Sequence, residues 1–404
     1  MRLVLFVTPG FPRPALTFSV NKFLGLLAKG WDIHVVTPQS RPADWTHFPE
    51  LQHPDIARRV HVLPMNEPNQ TAVWWTIRSI LMHPLSSARY WRRAWRLQGR
   101  QSLTNWELHL FSHLAALKPD LIHFEFQWPA TRWIYLKRLL NCKITVGVQA
   151  SEFNYAKPAD FYHVLWDNTD ALHVLGQDLW RRACRLGCPP KLAHAIIPAA
   201  IDADFWDPGA RKHVETVGTV ERPLRLISVA RLEWKKGYEY AFEVVRQLED
   251  QGIHCEYDII GEGKYADALR YARQQMGLTE VVQFWGSHSR FQVRDALKNA
   301  DIFLHTAVSE GFGYAALEAQ AMKLPVVSSN ADGLSENIVH EETGYVLPRR
   351  NTYAMAQKII ALAQNPALRQ QMGNAGRERV QRQFQASQQI AAFDAFYREV
   401  LAAD

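Results

Sequence analysis

Short runs of Val, Ile and Leu alternate with helix-patterned stretches along this chain, and the alternation occurs twice. The first series holds "RLVLFVT", a helix over about 17–29 closed by Gly30, then "DIHVVTP", "LIHFEF", "KITVGV", "ALHVL" and "HAIIP". After the polar stretch "DPGARKHVETVGTVERP" at 207–223 the same grammar restarts with "LRLISVA", "CEYDIIG", "VVQFW", "DIFLH", "LPVVSS" and "GYVLP". Strands apolar throughout, separated by helices, specify parallel sheets covered on both faces. A chain of 404 residues exceeds one ordinary core, so two domains of roughly 200 residues each are expected. The expected fold class is α/β, with two doubly wound parallel-sheet domains over 1–206 and 207–386. A C-terminal helix over 387–404 is expected to pack back toward the first domain. Such a pair opens a cleft beside the C-terminal ends of its strands, where open α/β sheets bind ligands. Residues 68–106 break the rhythm and read as an insertion.

Other classes are excluded by what the chain lacks. No apolar run reaches 18 residues, so no bilayer span is expected. The opening "MRLVLFVTPG" has one arginine before a run that Pro9 and Gly10 break, which suits a first strand better than a signal peptide. A cytoplasmic protein is the resulting expectation. Cys142, Cys184, Cys188 and Cys255 are too scattered for a disulfide framework. Cys184 and Cys188 lie four apart without a second Cys or His pair at metal-site spacing, so no metal site is expected.

One stretch carries chemistry: "SEGFGYAALEAQAMKLPVVSS" at 309–329. It reads as a loop with Glu310, then a helix with Glu318. Gly311 and Gly313 are expected to adopt backbone conformations other residues resist and to let a ligand approach the main chain. The helix start offers unpaired N–H groups to an anion such as a diphosphate. Ionised carboxylates only accept hydrogen bonds, so the two glutamates suit hydroxyls of rings flanking that anion, and the ligand so described is a nucleotide-sugar. An ordinary helix with a solvated Glu318 and a turn acid at Glu310 explains the spacing equally well. Two neighbouring motifs favour the ligand. Arg231 and Lys236, in "VARLEWKKG", follow a strand where cations can neutralise a leaving diphosphate. Gly261 and Gly263, in "IIGEGKYADAL", form a second glycine-bearing turn, weak evidence alone.

These segments, with "DGLSENIVHEETGYVL", "IIPAAIDADFW", "TPGFPRPALTF" and "GWDIHVVTP", resemble glycosyltransferase family 4, the retaining glycosyltransferases of the GT-B fold. The resemblance covers nearly the whole chain and is strongest over 225–347. It implies transfer of a sugar from a nucleotide diphosphate donor with retention at the anomeric carbon, no cofactor and no obligatory metal. It also implies that Arg231 and Lys236 bind the diphosphate and that Glu310 meets the donor sugar near the reaction centre. Backbone donors would come from Gly311, Phe312 and Gly313, and Glu318 would hold the ribose. Gly10, Gly261, Gly263, Trp285 and Tyr314 would complete the donor site, with Trp285 beside the base. On the acceptor side the corresponding residues are Gln149, Ser151 and Glu152. The chain departs from the family there: Gln149 and Ala150 stand where His-Gly is usual, and glutamine cannot transfer a proton at neutral pH. Further departures are Ala199-Ala200 for Asn-Gly, and Lys323 where a glycine usually precedes the proline. The implied acceptor is a glycan, lipid-linked or small molecule in cell-surface polysaccharide or glycoconjugate assembly. A non-catalytic nucleotide-sugar-binding subunit and a nucleotide-sugar epimerase are the competing classes.

The net charge of +6 is concentrated. Between Glu67 and Glu107 there is no acid, while Arg78, Arg89, Arg92, Arg93, Arg96 and Arg100 match the whole excess. Helical periodicity over "ARYWRRAWRLQGR" puts Arg89, Arg93, Arg96 and Arg100 on one face and Trp91 with Trp95 opposite. That pattern suits an anionic membrane surface or a phosphate-bearing acceptor. Tryptophans packed inward beneath solvated arginines account for it as well. Nucleic acid is not an expected partner, because the charge is confined to one insertion. His123 and His173 fall within strands and read as core residues.

Overall fold

The computed structural model describes residues 1–13, 16–63, 105–149, 161–209 and 215–403, with residue 153 and scattered positions between 74 and 92. The chain divides into two compact units, one of residues 1–174, 180–197 and 390–404, the other of 175–179 and 198–389.

In the first unit seven parallel strands lie in the order β3-β2-β1-β4-β5-β6-β7 among the described residues. They are β1 (Arg2–Phe6), β2 (Asp32–Thr37), β3 (Val60–Val62), β4 (Leu121–Phe124), β5 (Lys143–Val148), β6 (Ala171–Val174) and β7 (His194–Ile196). The strand order reverses between β1 and β4, whose registers pair Leu3 with Leu121 and Phe6 with Phe124. Every apolar run read as a strand from the sequence is one. The additional strand, β3, is three residues long at the sheet edge and only partly buried, so it lacks the apolar run that marks the others. The core joins Leu3, Leu5, Phe23, Ile33 and Val35 to Ile390, Phe393, Phe396 and Tyr397 of the helix Ala386–Ala402.

This apolar core contains an ion pair. Lys22, on the helix Thr17–Ala28, donates from Nζ to both carboxylate oxygens of Glu125 at 2.9 and 2.8 Å. Both side chains are almost wholly buried. The Lys22 ammonium also lies 3.9 Å from the centre of the Phe393 ring. His123 is buried beside the pair, with Nδ1 and Thr145 Oγ1 2.9 Å apart. Both strand histidines are core residues, and His173 Nε2 lies 2.9 Å from the Ile197 carbonyl oxygen.

The second unit holds six parallel strands in the order β10-β9-β8-β11-β12-β13 among the described residues. These are β8 (Leu224–Val229), β9 (Cys255–Ile260), β10 (Val282–Gly286), β11 (Ile302–His305), β12 (Val326–Ser329) and β13 (Gly344–Leu347). Helices Tyr238–Asp250 and Thr352–Gln364 bury Phe242, Val245, Met355 and Ile359 in its core. Lys323, where the resembled family has glycine, adopts φ +57, the left-handed conformation glycine would take without strain. The four cysteines are free, and three of them are buried. No helix of the described residues is long and apolar enough to cross a membrane.

Candidate active site

The order of the second sheet fixes where chemistry can gather. β8 neighbours β9 on one side and β11 on the other, so the segments leaving the C-terminal ends of β8 and β11 start side by side and diverge. One leads through Arg231 into the short 3-10 turn Trp234–Lys236, and the other through Glu310 into the helix Tyr314–Ala321.

Lys236 Nζ donates directly to Glu310 Oε2, and His305 Nε2, at the end of β11, is 3.1 Å from the same oxygen. Burial alone would raise the Glu310 carboxyl, but the Lys236 charge and the His305 contact overcome it and hold the group well below the ordinary carboxylate range. Glu310 is therefore ionised at neutral pH. His305 is shifted down by burial, against the pull of Glu310. Arg231 pairs with Glu233, which also accepts from Lys235 at 3.2 Å. Its side chain is 65% exposed, so the guanidinium is accessible from solvent.

The loop between Glu310 and the helix is held from behind by the segment 331–337. Asp332 Oδ2 accepts from Ser309 Oγ at 2.6 Å and from the Glu310 N–H at 3.1 Å, while Arg349 binds Asp332 Oδ1 at 2.9 Å. Asn337 Nδ2 donates to the carbonyls of Phe312 and Gly313. A Cβ on Gly333 would come within 2.0 Å of the Gly311 carbonyl oxygen, so the two segments pack backbone to backbone. With the carbonyls turned toward that segment, the N–H groups of Phe312 and Gly313 meet no acceptor among the described residues. They stand immediately before the helix Tyr314–Ala321, at its positive end.

Several expected roles look different in three dimensions. Gly313 takes φ +88 as expected, whereas Gly311 is absent from the positive-φ glycines. Gly261 and Gly263 serve packing of the chain on itself: a Cβ there would meet the carbonyl oxygens of Ala230 and Leu232 at 2.0 and 2.1 Å. The Phe312 ring is turned into the core, edge-on to Phe384 at 5.9 Å, so only its main chain is available to a ligand. Tyr314 is half-buried at the helix start. Glu318 is half-buried farther along the helix, and burial pushes its carboxyl up to about 8, with Arg290 opposing the shift. Trp285 is exposed at the C-terminal end of β10, two strands and roughly 10 Å from β8, and its Nε1 donates to Asp258 Oδ1 at 2.6 Å.

In the first unit, Gly10 is buried after β1, where a Cβ would sit 3.0 Å from the Gln39 carbonyl oxygen. Gln149 is tied by its main chain to the Gln127 side chain, at 2.9 Å through its N–H and 3.1 Å through its carbonyl. Ser151, Glu152, Arg89, Trp91, Arg93, Trp95, Arg96 and Arg100 lie outside the described residues. The sequence reading missed His305, Asp332, Asn337 and Arg349. His305 had a usable signal, a titratable residue ending a strand beside the reversal; the others are defined by tertiary contacts.

Residues 211–379 match the family model described as Glycosyl transferases group 1. The chain is 34% identical over 194 residues to the putative colanic acid biosynthesis glycosyltransferase WcaL of Escherichia coli K12, a match spanning 46% of each chain. It is 27% identical over 390 residues to the amylovoran biosynthesis glycosyltransferase AmsK of Erwinia amylovora, covering 91% of this chain and 92% of that one. The crystal structure of Anabaena Alr3699/HepE in complex with UDP and glucose is similar at a TM-score of 0.72 and 14% identity, over 99% of this chain and 100% of that one. Two parallel-sheet units and this likeness give the chain the GT-B fold, with the match to glycosyl transferases group 1 lying in its second unit.

Proposed function

We propose that this chain is a retaining glycosyltransferase that moves a sugar from a nucleotide diphosphate sugar to a glycan or lipid-linked acceptor in polysaccharide biosynthesis, without an obligatory metal. The observation that carries this reading is the contact of Lys236 and His305 with an ionised Glu310, beside the Phe312 and Gly313 N–H groups, which meet no acceptor among the described residues. A diphosphate at that helix start gains the N–H groups of Phe312 and Gly313, and Lys236 and Arg231 supply positive charge as the leaving group becomes more negative. Glu310, an acceptor-only group, takes hydroxyls of the donor sugar, and Glu318, whose carboxyl burial pushes up to about 8, both donates to and accepts from those of the ribose.

In the transfer, the bond from the anomeric carbon to the leaving phosphate breaks while the acceptor oxygen bonds the same carbon from the same face. The acceptor's proton passes to the departing phosphate oxygen. Relatives named for colanic acid and amylovoran biosynthesis support a polysaccharide setting. The UDP in the Anabaena structure makes UDP-sugars the first donors to try. We infer a cytoplasmic protein working at the inner face of a membrane, where lipid-linked acceptors are presented.

A thermal-shift screen against UDP-, GDP- and ADP-linked sugars identifies the donor, because a ligand that binds only the folded state raises its stability. NMR of the product's anomeric signal then reads the stereochemistry. The reading fails if no nucleotide-sugar stabilises the protein, and the mechanism fails if the anomeric configuration inverts.

A further inference from the structure

At the exit of β11 a lysine and a histidine share one carboxylate oxygen. Lys236 Nζ donates to Glu310 Oε2, and His305 Nε2 lies 3.1 Å from that same oxygen, while Oε1 takes the Gly311 N–H at 2.9 Å. An ionised carboxylate only accepts, so His305 donates through Nε2–H and its Nδ1 carries no proton. The side chains of Lys236, Glu310 and His305 are 12, 16 and 5% exposed, which makes a charge here costly to leave without its counterion. The main chain around them is fixed. The Lys235 carbonyl accepts from the Val308 N–H at 2.8 Å, and Thr306 Oγ1 donates to the Gly237 carbonyl at 2.8 Å. What can move is the Lys236 ammonium on its flexible stem.

A diphosphate bound before the helix Tyr314–Ala321 competes for that ammonium. Once the ammonium turns to the phosphates, Glu310 has lost its cation in a nearly closed site, and further negative charge has arrived beside it. Both changes favour an imidazolium at His305. Of the other ionisable groups on the neighbouring segments, Arg231 and Lys235 pair with Glu233 and Arg349 pairs with Asp332, while the buried Tyr238 hydroxyl donates to the Ala230 carbonyl. We propose that His305 takes up one proton from solvent when a donor diphosphate draws Lys236 off Glu310, so that the carboxylate stays charged and keeps accepting from the donor sugar. His305 is thus a positioning residue that acts through Glu310. In the free protein burial holds it neutral at pH 7, so the proton is gained at Nδ1 on binding and released when the nucleotide leaves. The link to donor binding rests on the glycosyltransferase reading, whereas the coupling between Lys236 and His305 does not.

Two measurements on the full chain test it. In the ligand-free protein, NMR titration of the histidine Cε1–H signals, with His305 identified by its loss in H305Q, is expected to place the His305 midpoint at least about one pH unit higher in K236M than in wild type. An unmoved midpoint overturns the proposal, whether or not any nucleotide-sugar binds. The second measurement is calorimetry of wild type with UDP-glucose, whose diphosphate exchanges no proton near neutral pH. The binding enthalpy is expected to vary with the ionisation enthalpy of the buffer, as uptake of about one proton requires, and the affinity to fall by at most about tenfold per pH unit as pH rises. H305Q keeps a donor to Glu310 without titrating, so its binding should be independent of buffer and about tenfold weaker at pH 6. Buffer-independent binding by wild type overturns the proposal and leaves the donor assignment in place. Uptake that H305Q retains, as protonation of Glu310 itself would give, does the same. Absence of UDP-glucose binding counts against the donor assignment instead, and the K236M titration still decides the coupling.

Discussion

Lys236 and Glu310 meet from the two strands that flank the reversal of the second sheet, and each side chain keeps a small exposed fraction, 12 and 16%. The pair is therefore shielded enough to be strong and open enough for a ligand anion to compete for the lysine. Glu310→Gln preserves shape and an acceptor for the Gly311 N–H, which lies 2.9 Å from Oε1, but removes the charge. Donor turnover is expected to fall by about 10²- to 10³-fold, the cost typical of losing one preorganised polar group at a reacting centre. Lys236→Ala is expected to raise KM for the donor as well. Steady-state kinetics check both, and a Glu310→Gln enzyme with wild-type kcat would remove Glu310 from the mechanism.

Asp332 acts on Glu310 through the loop that carries it, which it fixes by accepting from Ser309 Oγ and from the Glu310 N–H. Its backbone lies at φ +45, so a glycine there relaxes the main chain while deleting the carboxylate. Asp332→Gly is expected to lower kcat by about a hundredfold with little change in melting temperature, because small misplacements of reacting groups are costly. Asp332→Asn keeps one acceptor oxygen and should recover part of the loss. Equal kcat for the two variants would show that the carboxylate does not matter.

The parallel strands were legible because strands buried on both faces have no polar alternation to obscure them; β8 and β11 read directly as "LRLISV" and "IFLH". The paired acids and Lys236 were legible because they follow those strands. Asp332 and Asn337 were not, since the loop residues they hold, Glu310 and Gly313, lie over 20 residues away and nothing local distinguishes them from turn residues. Lys22 was hidden for the same reason. A lysine on an amphipathic helix reads as solvated, and its partner Glu125 is 103 residues distant. Gly261 and Gly263 were legible as a turn, but not the reason glycine is needed there, since the carbonyls of Ala230 and Leu232 that a Cβ would meet lie about 30 residues earlier.

Glu318 makes stability depend on pH in an unusual sense. Its folded carboxyl keeps its proton up to about 8, whereas the unfolded one releases it near 4.5. Between those values the unfolded state binds fewer protons, so this residue's contribution falls as pH rises, by at most about 1.4 kcal/mol per pH unit. Glu318→Gln is expected to flatten that part of the profile, read as the difference between variant and wild-type melting temperatures from pH 5 to about 8. Parallel profiles would refute it.

A chain of imidazoles in the first unit has the reverse sign. Asp32 Oδ1 lies 3.3 Å from His34 Nε2, His34 Nδ1 is 2.9 Å from His61 Nε2, and His61 Nδ1 is 2.9 Å from His113 Nε2. Since a carboxylate only accepts, the neutral chain has each Nε2 as donor, and an added proton on His61 breaks that order. Burial lowers His61 to about 4 from 6.5, so its contribution is complete above 6.5 and is lost as pH falls through about 4. His61→Gln retains a donor and an acceptor without titrating. It should reduce the acid sensitivity of the melting temperature in that window, and an unchanged slope would exclude His61 as its source.

The Lys22–Glu125 pair gives the largest expected stability effect. Burial lowers Lys22 and would raise Glu125, but the lysine charge outweighs burial at the carboxylate and brings Glu125 down to about 2 from 4.5. Glu125 thus contributes stability above about pH 4.5 that is lost as pH falls toward 2. Removing one partner strands the other charge in an apolar core, so Lys22→Met is expected to cost about 3–5 kcal/mol by urea denaturation. The double change Lys22→Met/Glu125→Leu removes both charges and should recover much of that loss, because paired buried ions often add little over well-packed apolar groups. The same ammonium rests on the Phe393 ring of the C-terminal helix, so Lys22→Met should also increase amide exchange across residues 390–400. Additive losses in the double variant would mean that the two charges do not stabilise each other.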